Sequence, residues 1–180
     1  MNYLPPCYGI EHQCDRSPRR TMPIVSLAAN TCPADVGSLT SLLIRDLPSY
    51  ANRIIQRRRK RTDELYSSIL TVGKPDFRSI EITSREYPAR FPQSTPTQVF
   101  ITTLERQYTG IKSAEIQQFH WLFMAKTRFG WRLSNIYSRT SIGTLTADAP
   151  IAPPTESSRT IVGEAISIWL NDCYLGKVKG

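Results

Sequence analysis

A short basic run is the first feature of this sequence whose side chains could do chemistry. Seven basic residues and a single acid, Asp46, lie between Arg45 and Arg61, whereas the whole 180-residue chain has a net charge of +8. Clusters of this kind bind the phosphates of nucleic acids or of anionic lipids. The same composition is also typical of a solvated helix end. The candidates for anion binding are Arg53, Arg57, Arg58, Arg59, Lys60 and Arg61.

His120 is the second candidate, because it lies within an apolar run and is one of only two histidines. A catalytic or metal-binding histidine would need polar partners, for which Glu105, Glu115 and Ser138 are available if folding brings them near. The alternative is a strand histidine whose ring nitrogens are satisfied by hydrogen bonds. Nothing in the spacing of these residues demands the catalytic interpretation.

Aromatic residues around His120 form a third group of candidates. They line a ligand pocket between a curved sheet and helices in one interpretation, and belong to an ordinary core in the other. A curved meander packed on helices often encloses a cavity, which keeps the first interpretation open. The candidate pocket residues are His120, Trp121, Trp131 and Tyr137.

The spacing of the cysteines and the absence of known motifs argue against most other kinds of metal, nucleotide or catalytic site. Four cysteines, Cys7, Cys14, Cys32 and Cys173, permit two disulfides without proving either. Cys7, His12 and Cys14 match none of the compact zinc spacings, and a fourth ligand is missing. The sequence has no Gly-x-Ser-x-Gly elbow, phosphate loop or dinucleotide fingerprint. We therefore predict no catalytic residue, no metal site and no cofactor.

The elements that must position these side chains begin with a helical pattern. From Asp35 onward, apolar residues recur at helical spacing as far as Ile55. Pro48 interrupts this stripe, because an interior proline loses a hydrogen bond and clashes with the preceding turn. Asp46 is a suitable N-cap for a second helix with Pro48 in its first turn. The pattern therefore predicts two helices or one sharply kinked helix, ending in the basic run.

A series of strand patterns follows the basic run. Alternating, aromatic or β-branched residues mark the segments 66–72, 77–83, 99–108, 115–127 and 131–140. Apolar residues on both faces of 115–127 favour a central strand covered on both sides. Arg128, Phe129 and Gly130 predict a short hairpin turn with glycine at positive φ. The fold is therefore predicted to contain an antiparallel β-meander of three to five strands.

An apolar stripe of helical period predicts a final helix. Its members are Val162, Ala165, Ile166, Trp169, Leu170 and Cys173. Ser157 or Ser158 can cap the start of this helix, and Gly176 can end it. Helices before and after the meander place the chain in the α+β class. We predict one domain over 32–176, a disordered tail or degenerate leader over 1–31, and a C-terminal tail over 177–180.

Five blocks of the sequence form a specific fingerprint: LLIRDLPSYANRIIQR, FITTLERQY, QQFHWLFMAKT, FGWRLSNIYSRT and SIWLNDC. Together they resemble an uncharacterised family of predicted exported proteins from cyanobacteria, for which no activity is known. The resemblance implies a secretory leader ahead of Cys32 and a location in the periplasm or thylakoid lumen. It also implies a disulfide between Cys32 and Cys173. Residues 1–31 depart from the family, because a hydrophobic leader is missing there.

The sequence supports three hypotheses on function. The first is a non-enzymatic, exported small domain that binds a partner or ligand through its sheet–helix surface. The second is an NTF2-like or cystatin-like pocket protein with small-molecule binding or enzymatic activity around His120. The third is a nucleic-acid-binding module that uses the basic helix. A deep cavity at His120 with carboxylates in reach would favour the second hypothesis over the first.

We expect a protein or small-molecule partner rather than nucleic acid, because the basic run has no stacking aromatic residues within it. No apolar run approaches the ~18 residues of a membrane span, so no transmembrane segment is expected.

Overall fold

The computed structural model describes residues 32–59, 65–78, 96–109, 112–141 and 153–179. In chain order the elements are α1 (Val36–Arg58), β1 (Leu65–Asp76), β2 (Thr97–Thr109), β3 (Lys112–Thr127), β4 (Gly130–Ser141), β5 (Thr155–Glu156) and α2 (Ile161–Tyr174). The predicted α+β fold is therefore confirmed, with one helix before the strands and one after them. Lys60, Arg61, the tail 1–31 and most of the predicted strand 77–83 lie outside the described residues.

The five strands form one antiparallel sheet in the order β1-β2-β3-β4-β5. β3 lies in the centre, as the apolar character of both its faces predicts. The core lies between one face of this sheet and the two helices. Its largest fully buried members include Leu43 and Leu47 from α1, Leu122 from β3, and Ile166 and Trp169 from α2. We call this side of the sheet the inner face and the opposite side the outer face.

A β-bulge in β4 sets which of its side chains reach the inner face. The pairing of β3 with β4 shifts between Met124↔Leu133 and Phe123↔Asn135, so Ser134 is the extra residue. A bulge adds one residue to one strand and reverses the alternation of side chains beyond it. Beyond the bulge, His120 pairs with Ser138, and both side chains lie on the inner face.

Helix α1 runs through Pro48 without interruption, and Asp46 is not an N-cap. Asp35 caps this helix instead, by accepting a hydrogen bond of 2.8 Å from Ser38 N. Pro48 has no N–H, so the carbonyl of Ile44 lacks its usual helical donor. The hydroxyl of Thr71 in β1 donates to that carbonyl at 2.9 Å. The proline is thus tolerated because a strand supplies the missing donor.

Asp46 has a tertiary role within α1. Its carboxylate accepts a hydrogen bond of 3.0 Å from Trp169 Nε1 of α2 and one of 2.8 Å from Arg45 Nε. These donors hold the pKa of Asp46 below its usual value, the bond from Arg45 having the largest effect. The carboxylate therefore satisfies the indole of the largest fully buried side chain.

One end of the molecule, which we call the closed end, joins the start of α1 to the end of α2 and the β3–β4 turn. A disulfide links Cys32 to Cys173, with a Cα–Cα distance of 5.1 Å. Trp131 Nε1 donates to the carbonyl of Pro33 at 3.2 Å. Gly130 has a φ of +80°, and a Cβ there would lie 2.9 Å from Cδ2 of Tyr174. The predicted hairpin glycine therefore also permits close packing of α2.

Helix α2 begins later than the sequence suggested. Its N-cap is Thr160, whose hydroxyl accepts from Gly163 N, rather than Ser157 or Ser158. Ser157 is unavailable because its hydroxyl is bound to the sheet. The helix ends as predicted at Gly176, with a φ of +69° and hydrogen bonds that define a Schellman motif. Beyond it, Val178 is buried in the core.

Within the described ranges, no helix is both long enough and apolar enough to cross a membrane.

Candidate functional site

Four polar side chains form a hydrogen-bonded network on the inner face of the sheet. His120 Nε2 lies 2.8 Å from the hydroxyl of Thr103, and Nδ1 lies 2.6 Å from the hydroxyl of Ser138. The hydroxyl of Ser138 lies 2.5 Å from that of Ser157. The Ser157 hydroxyl in turn lies 3.2 Å from the carbonyl of Ile136. Strands β2, β3 and β4 and the segment before α2 are thus joined through one histidine.

The donor and acceptor of every hydrogen bond in the network are determined once Ser157 donates to the carbonyl of Ile136. Ser138 must then donate to Ser157, and His120 Nδ1–H must donate to Ser138. A neutral imidazole has one N–H, so Nε2 accepts from Thr103. His120 is 1% exposed, and this burial lowers its pKa from 6.5 to about 4. The histidine is therefore neutral and fully hydrogen-bonded near neutral pH.

A pocket of about 400 Å³ lies against this network, between the inner face and the start of α2. This volume is within the range of small-molecule sites. Its lining includes three aliphatic side chains, those of Ile69, Ile161 and Val162. It also includes five residues that carry a hydroxyl group: Ser138, Thr140, Thr155, Ser157 and Thr160. Ser138 thus belongs to both the network and the pocket wall.

Glu105 supplies a carboxylate to the lining of the pocket. Gln107 Nε2 donates to one of its oxygens at 3.1 Å, and Gln118 Nε2 donates to the other at 3.0 Å. A carboxylate has about four lone-pair directions, so two amide donors leave acceptor capacity for a ligand. The two glutamines therefore hold Glu105 in place without neutralising its charge.

The charged groups give the pocket a negative balance. Glu105 and Glu156 line it, and Arg139 is the one basic residue among its described lining residues. The guanidinium of Arg139 lies 5.5 Å from the ring centre of Phe119, on the outer face. The N-terminus of α2 adds roughly half a positive charge. Glu156 pairs with Tyr137 of the outer face, and its carboxylate accepts from Ser158 N at 2.9 Å. The full negative charge of Glu105 on the inner face exceeds the half charge of the helix, so the pocket favours positively charged ligands.

The aromatic pocket candidates do not line this pocket. Trp131 lies in the core at the closed end. Trp121 and Tyr137 lie opposite one another on the outer face, where Trp121 contacts Phe100 and Tyr137 contacts Phe123. His120 reaches the pocket only through Ser138. Among the three partners proposed for the histidine, Ser138 touches it and Glu105 lines the pocket, whereas Glu115 pairs with Arg106.

Trp121 is the one aromatic candidate with an unsatisfied polar atom. Its side chain is buried, and its Nε1 has no hydrogen-bond partner among the described residues. Such a group weakens the fold by about 1–3 kcal/mol unless it is satisfied.

The basic candidates lie at the end of α1, all four described arginines being exposed. Arg53 stacks on Tyr50 at 4.4 Å, and Arg59 stacks on Tyr66 at 5.5 Å. Arg58 forms an ion pair with Glu164 in the first turn of α2. This ion pair places the basic run at the same end of the molecule as the pocket, which we call the pocket end.

Sequence reasoning missed most of the pocket. Thr140, Thr155 and Thr160 are ordinary residues in their local patterns, and no motif marks them. The available signal was the pair of Ser138 and Glu105 as possible partners of His120. In the described part of the chain, no three histidine, cysteine or acidic side chains are grouped as metal ligands.

No protein-family model, no curated protein and no solved structure matches this chain. The function must therefore be inferred from the site itself.

Proposed function

We propose that this domain is a non-enzymatic binding protein whose pocket takes a small, hydroxylated, positively charged molecule, such as an amino sugar or amino alcohol. The observation that carries the proposal is the presence of five hydroxyl-bearing residues and a fixed carboxylate, Glu105, in the lining of one pocket of about 400 Å³. Hydroxyl groups exchange hydrogen bonds with ligand hydroxyls, and the carboxylate attracts an ammonium group. The aliphatic lining residues Ile69, Ile161 and Val162 suit the C–H groups of such a ligand.

Three features support binding rather than catalysis. The Ser138 hydroxyl donates to Ser157, so it is not poised to transfer its proton to His120. A histidine with a pKa of about 4 is a weak general base at neutral pH. Its ring is 1% exposed, so a ligand cannot reach it directly. The network is better suited to fixing the position of Ser138 than to activating it.

An exported location is part of the same proposal. The disulfide between Cys32 and Cys173 supports it, because such bonds persist mainly in oxidising compartments. The resemblance to predicted exported cyanobacterial proteins points the same way. The domain would then meet its ligand outside the cytoplasm, in the periplasm or thylakoid lumen.

Isothermal titration calorimetry with three sugars of similar size tests the charge preference. Glucosamine is cationic, glucose is neutral and glucuronate is anionic. We expect glucosamine to bind most tightly and glucuronate most weakly, because the described pocket has a negative balance. Tighter binding of glucuronate than of glucosamine, or binding of none of the three, would contradict the proposal.

Two variants that each remove one carboxylate test whether glucosamine binds in the pocket. Glu105→Gln should weaken glucosamine binding about 10- to 100-fold, the range for losing a hydrogen bond to a charged group. Glu115→Gln is the matched control, since Glu115 pairs with Arg106 outside the pocket. Equal losses in the two variants would show that general charge, and not the pocket, determines binding.

A fluorophosphonate probe tests the competing enzymatic interpretation. Such reagents label serines that a neighbouring base has activated. We expect no labelling of Ser138 at neutral pH. Labelling that disappears in Ser138→Ala would establish a serine nucleophile and overturn the non-enzymatic part of the proposal.

A further inference from the structure

The end of α1 spreads three consecutive arginines across the pocket end of the molecule. Arg58 reaches α2, where it pairs with Glu164. Arg59 reaches the sheet, where its guanidinium lies 5.5 Å from the ring centre of Tyr66. Arg57 precedes them in the last turn of α1 and is exposed. The three side chains therefore cover a surface wider than the helix itself.

Tyrosines border this basic surface. Tyr66 at the start of β1 contacts Tyr108 near the end of β2, with ring centres 5.7 Å apart. Arg53, one helical turn before Arg57, stacks on Tyr50 at 4.4 Å. Tyrosine rings are amphipathic and favour the boundary between water and an apolar phase.

The charge of this segment exceeds what its own acids can neutralise. From Arg45 to Glu64 the sequence has seven basic residues and three acids, Asp46, Asp63 and Glu64, which leaves a net charge of +4. Asp46 is already bound to Arg45 and Trp169 within the fold. This excess of positive charge is not needed to keep a helix end solvated. A negatively charged partner would stabilise it.

We propose that the basic surface formed by Arg53, Arg57, Arg58 and Arg59, bordered by Tyr66 and Tyr108, docks the protein on an anionic phospholipid membrane. Arginines bind lipid phosphates, and the tyrosines lie at headgroup depth. This function does not depend on the pocket ligand. It would hold the pocket end, and with it the pocket, close to the membrane.

A membrane fits the described surface better than a nucleic acid does. The disulfide between Cys32 and Cys173 indicates an oxidising compartment, where membranes are present and chromosomal DNA is not. A nucleic-acid site would also need aromatic side chains free to stack on bases. Tyr50 instead packs against the core and donates to Asp172, and the ring of Tyr66 contacts Arg59 and Tyr108.

Vesicle co-sedimentation of the oxidised full-length chain tests this proposal. Vesicles of neutral phosphatidylcholine are compared with vesicles containing about 30 mol% phosphatidylglycerol, which models an anionic leaflet. We expect binding to the anionic vesicles only, and its loss as sodium chloride is raised from about 50 mM to about 500 mM. Arg57→Gln combined with Arg59→Gln should weaken binding on the order of 25-fold, about fivefold for each arginine.

The matched control removes two positive charges at the other end of the sheet. Lys74 and Arg128 are both exposed there, so Lys74→Gln combined with Arg128→Gln should leave vesicle binding nearly unchanged. Thermal unfolding of both double variants verifies that each is folded. Equal losses in the two variants, or equal binding to neutral vesicles, would overturn the proposal. Binding to a DNA duplex without binding to anionic vesicles at the same salt would also overturn it.

Discussion

The two ends of this domain join the same two helices by different means. At the closed end, a covalent bond links Cys32, just before α1, to Cys173 in α2. At the pocket end, an exposed ion pair links Arg58 of α1 to Glu164 of α2. The closed end is packed around Gly130 and Trp131, whereas the pocket end contains a cavity and a polar network.

This difference suggests that the closed end mainly stabilises the fold and that the pocket end mainly binds ligands. A pocket and a cluster of like charges reduce local stability, because they leave space unfilled and charges unneutralised. A covalent closure far from the pocket can offset that loss without occupying the site. We therefore expect substitutions at the closed end to have the largest effect on unfolding, and substitutions of the pocket's lining residues to affect ligand binding.

The largest effect should come from removing the disulfide. Cys173→Ser opens a loop that spans 141 residues of sequence, for which the loop-entropy model gives roughly 4–5 kcal/mol as an upper figure. The melting temperature should then fall by about 10–20 °C, as expected for a chain of this size. Thermal unfolding with and without reductant measures it, since reductant should mimic the variant. Equal melting temperatures under the two conditions would show that the closed end does not depend on the bond.

The second largest effect should be a loss of stability at low pH, which His120 causes at the pocket end. The unfolded chain protonates His120 below about pH 6.5, whereas the native state does so only near pH 4. The native state thus binds fewer protons in this window, so stability decreases as the pH falls from 6.5 towards 4. The loss at pH 4.5 should be about 2–3 kcal/mol. Urea unfolding at pH 7 and pH 4.5 measures it.

His120→Gln is the control for that pH dependence. Glutamine can both donate and accept a hydrogen bond but does not titrate, so the variant should lose much less stability between the two pH values. Asp35, Asp46 and Asp76 have lowered pKa values, so their contributions are lost below pH 3.8, outside the window. An unchanged pH dependence in the variant would assign the effect to other groups.

A smaller effect is expected at Gly130. Alanine at a left-handed φ costs roughly 1–2 kcal/mol at either Gly130 or Gly73, whose φ values are +80° and +73°. Gly130→Ala should cost about 1 kcal/mol more, because its Cβ would meet Tyr174 while Gly73 has open space. Chemical denaturation compares the two. A Tyr174→Ala background should remove the excess, and its persistence there would contradict the packing argument.

The smallest effect should come from the ion pair at the pocket end. Glu164→Gln breaks the contact with Arg58, but both side chains are more than one third exposed. Surface pairs of this kind contribute up to about 1 kcal/mol. The melting temperature should therefore change by only a few degrees. A loss comparable to that of Cys173→Ser would show that the two ends are equally important for stability.

The sequence predicted the elements better than their relative placement. Helical and alternating patterns located α2 and strands β1 to β4, and Gly130 located a hairpin. The helix break predicted at Pro48 was wrong, because Thr71, 23 residues further along the chain, donates to the carbonyl that the proline leaves without a donor. Local patterns cannot show that a distant strand will supply a missing hydrogen bond.

The pocket depended on a feature that has no sequence signature. Without the bulge at Ser134, the hairpin register would pair His120 with Tyr137 and direct Ser138 to the outer face. One extra residue in β4 therefore creates the contact between His120 and Ser138. The same bulge directs Tyr137 to the outer face, whereas Trp121 lies there because it follows His120 in the regular alternation of β3. Residue type suggested His120 and Ser138 as partners, but only the strand register shows that they are in contact.

The most direct test of the account is an amide nitrogen–proton NMR titration of the oxidised protein with glucosamine. We expect the signals of Gln118, Ser138 and Ile161 at the pocket end to shift and to saturate with one affinity. The signals of Gly130 and Tyr174 at the closed end should keep their positions. Saturating shifts confined to the closed end, or none anywhere, would contradict the division of stability and binding between the two ends.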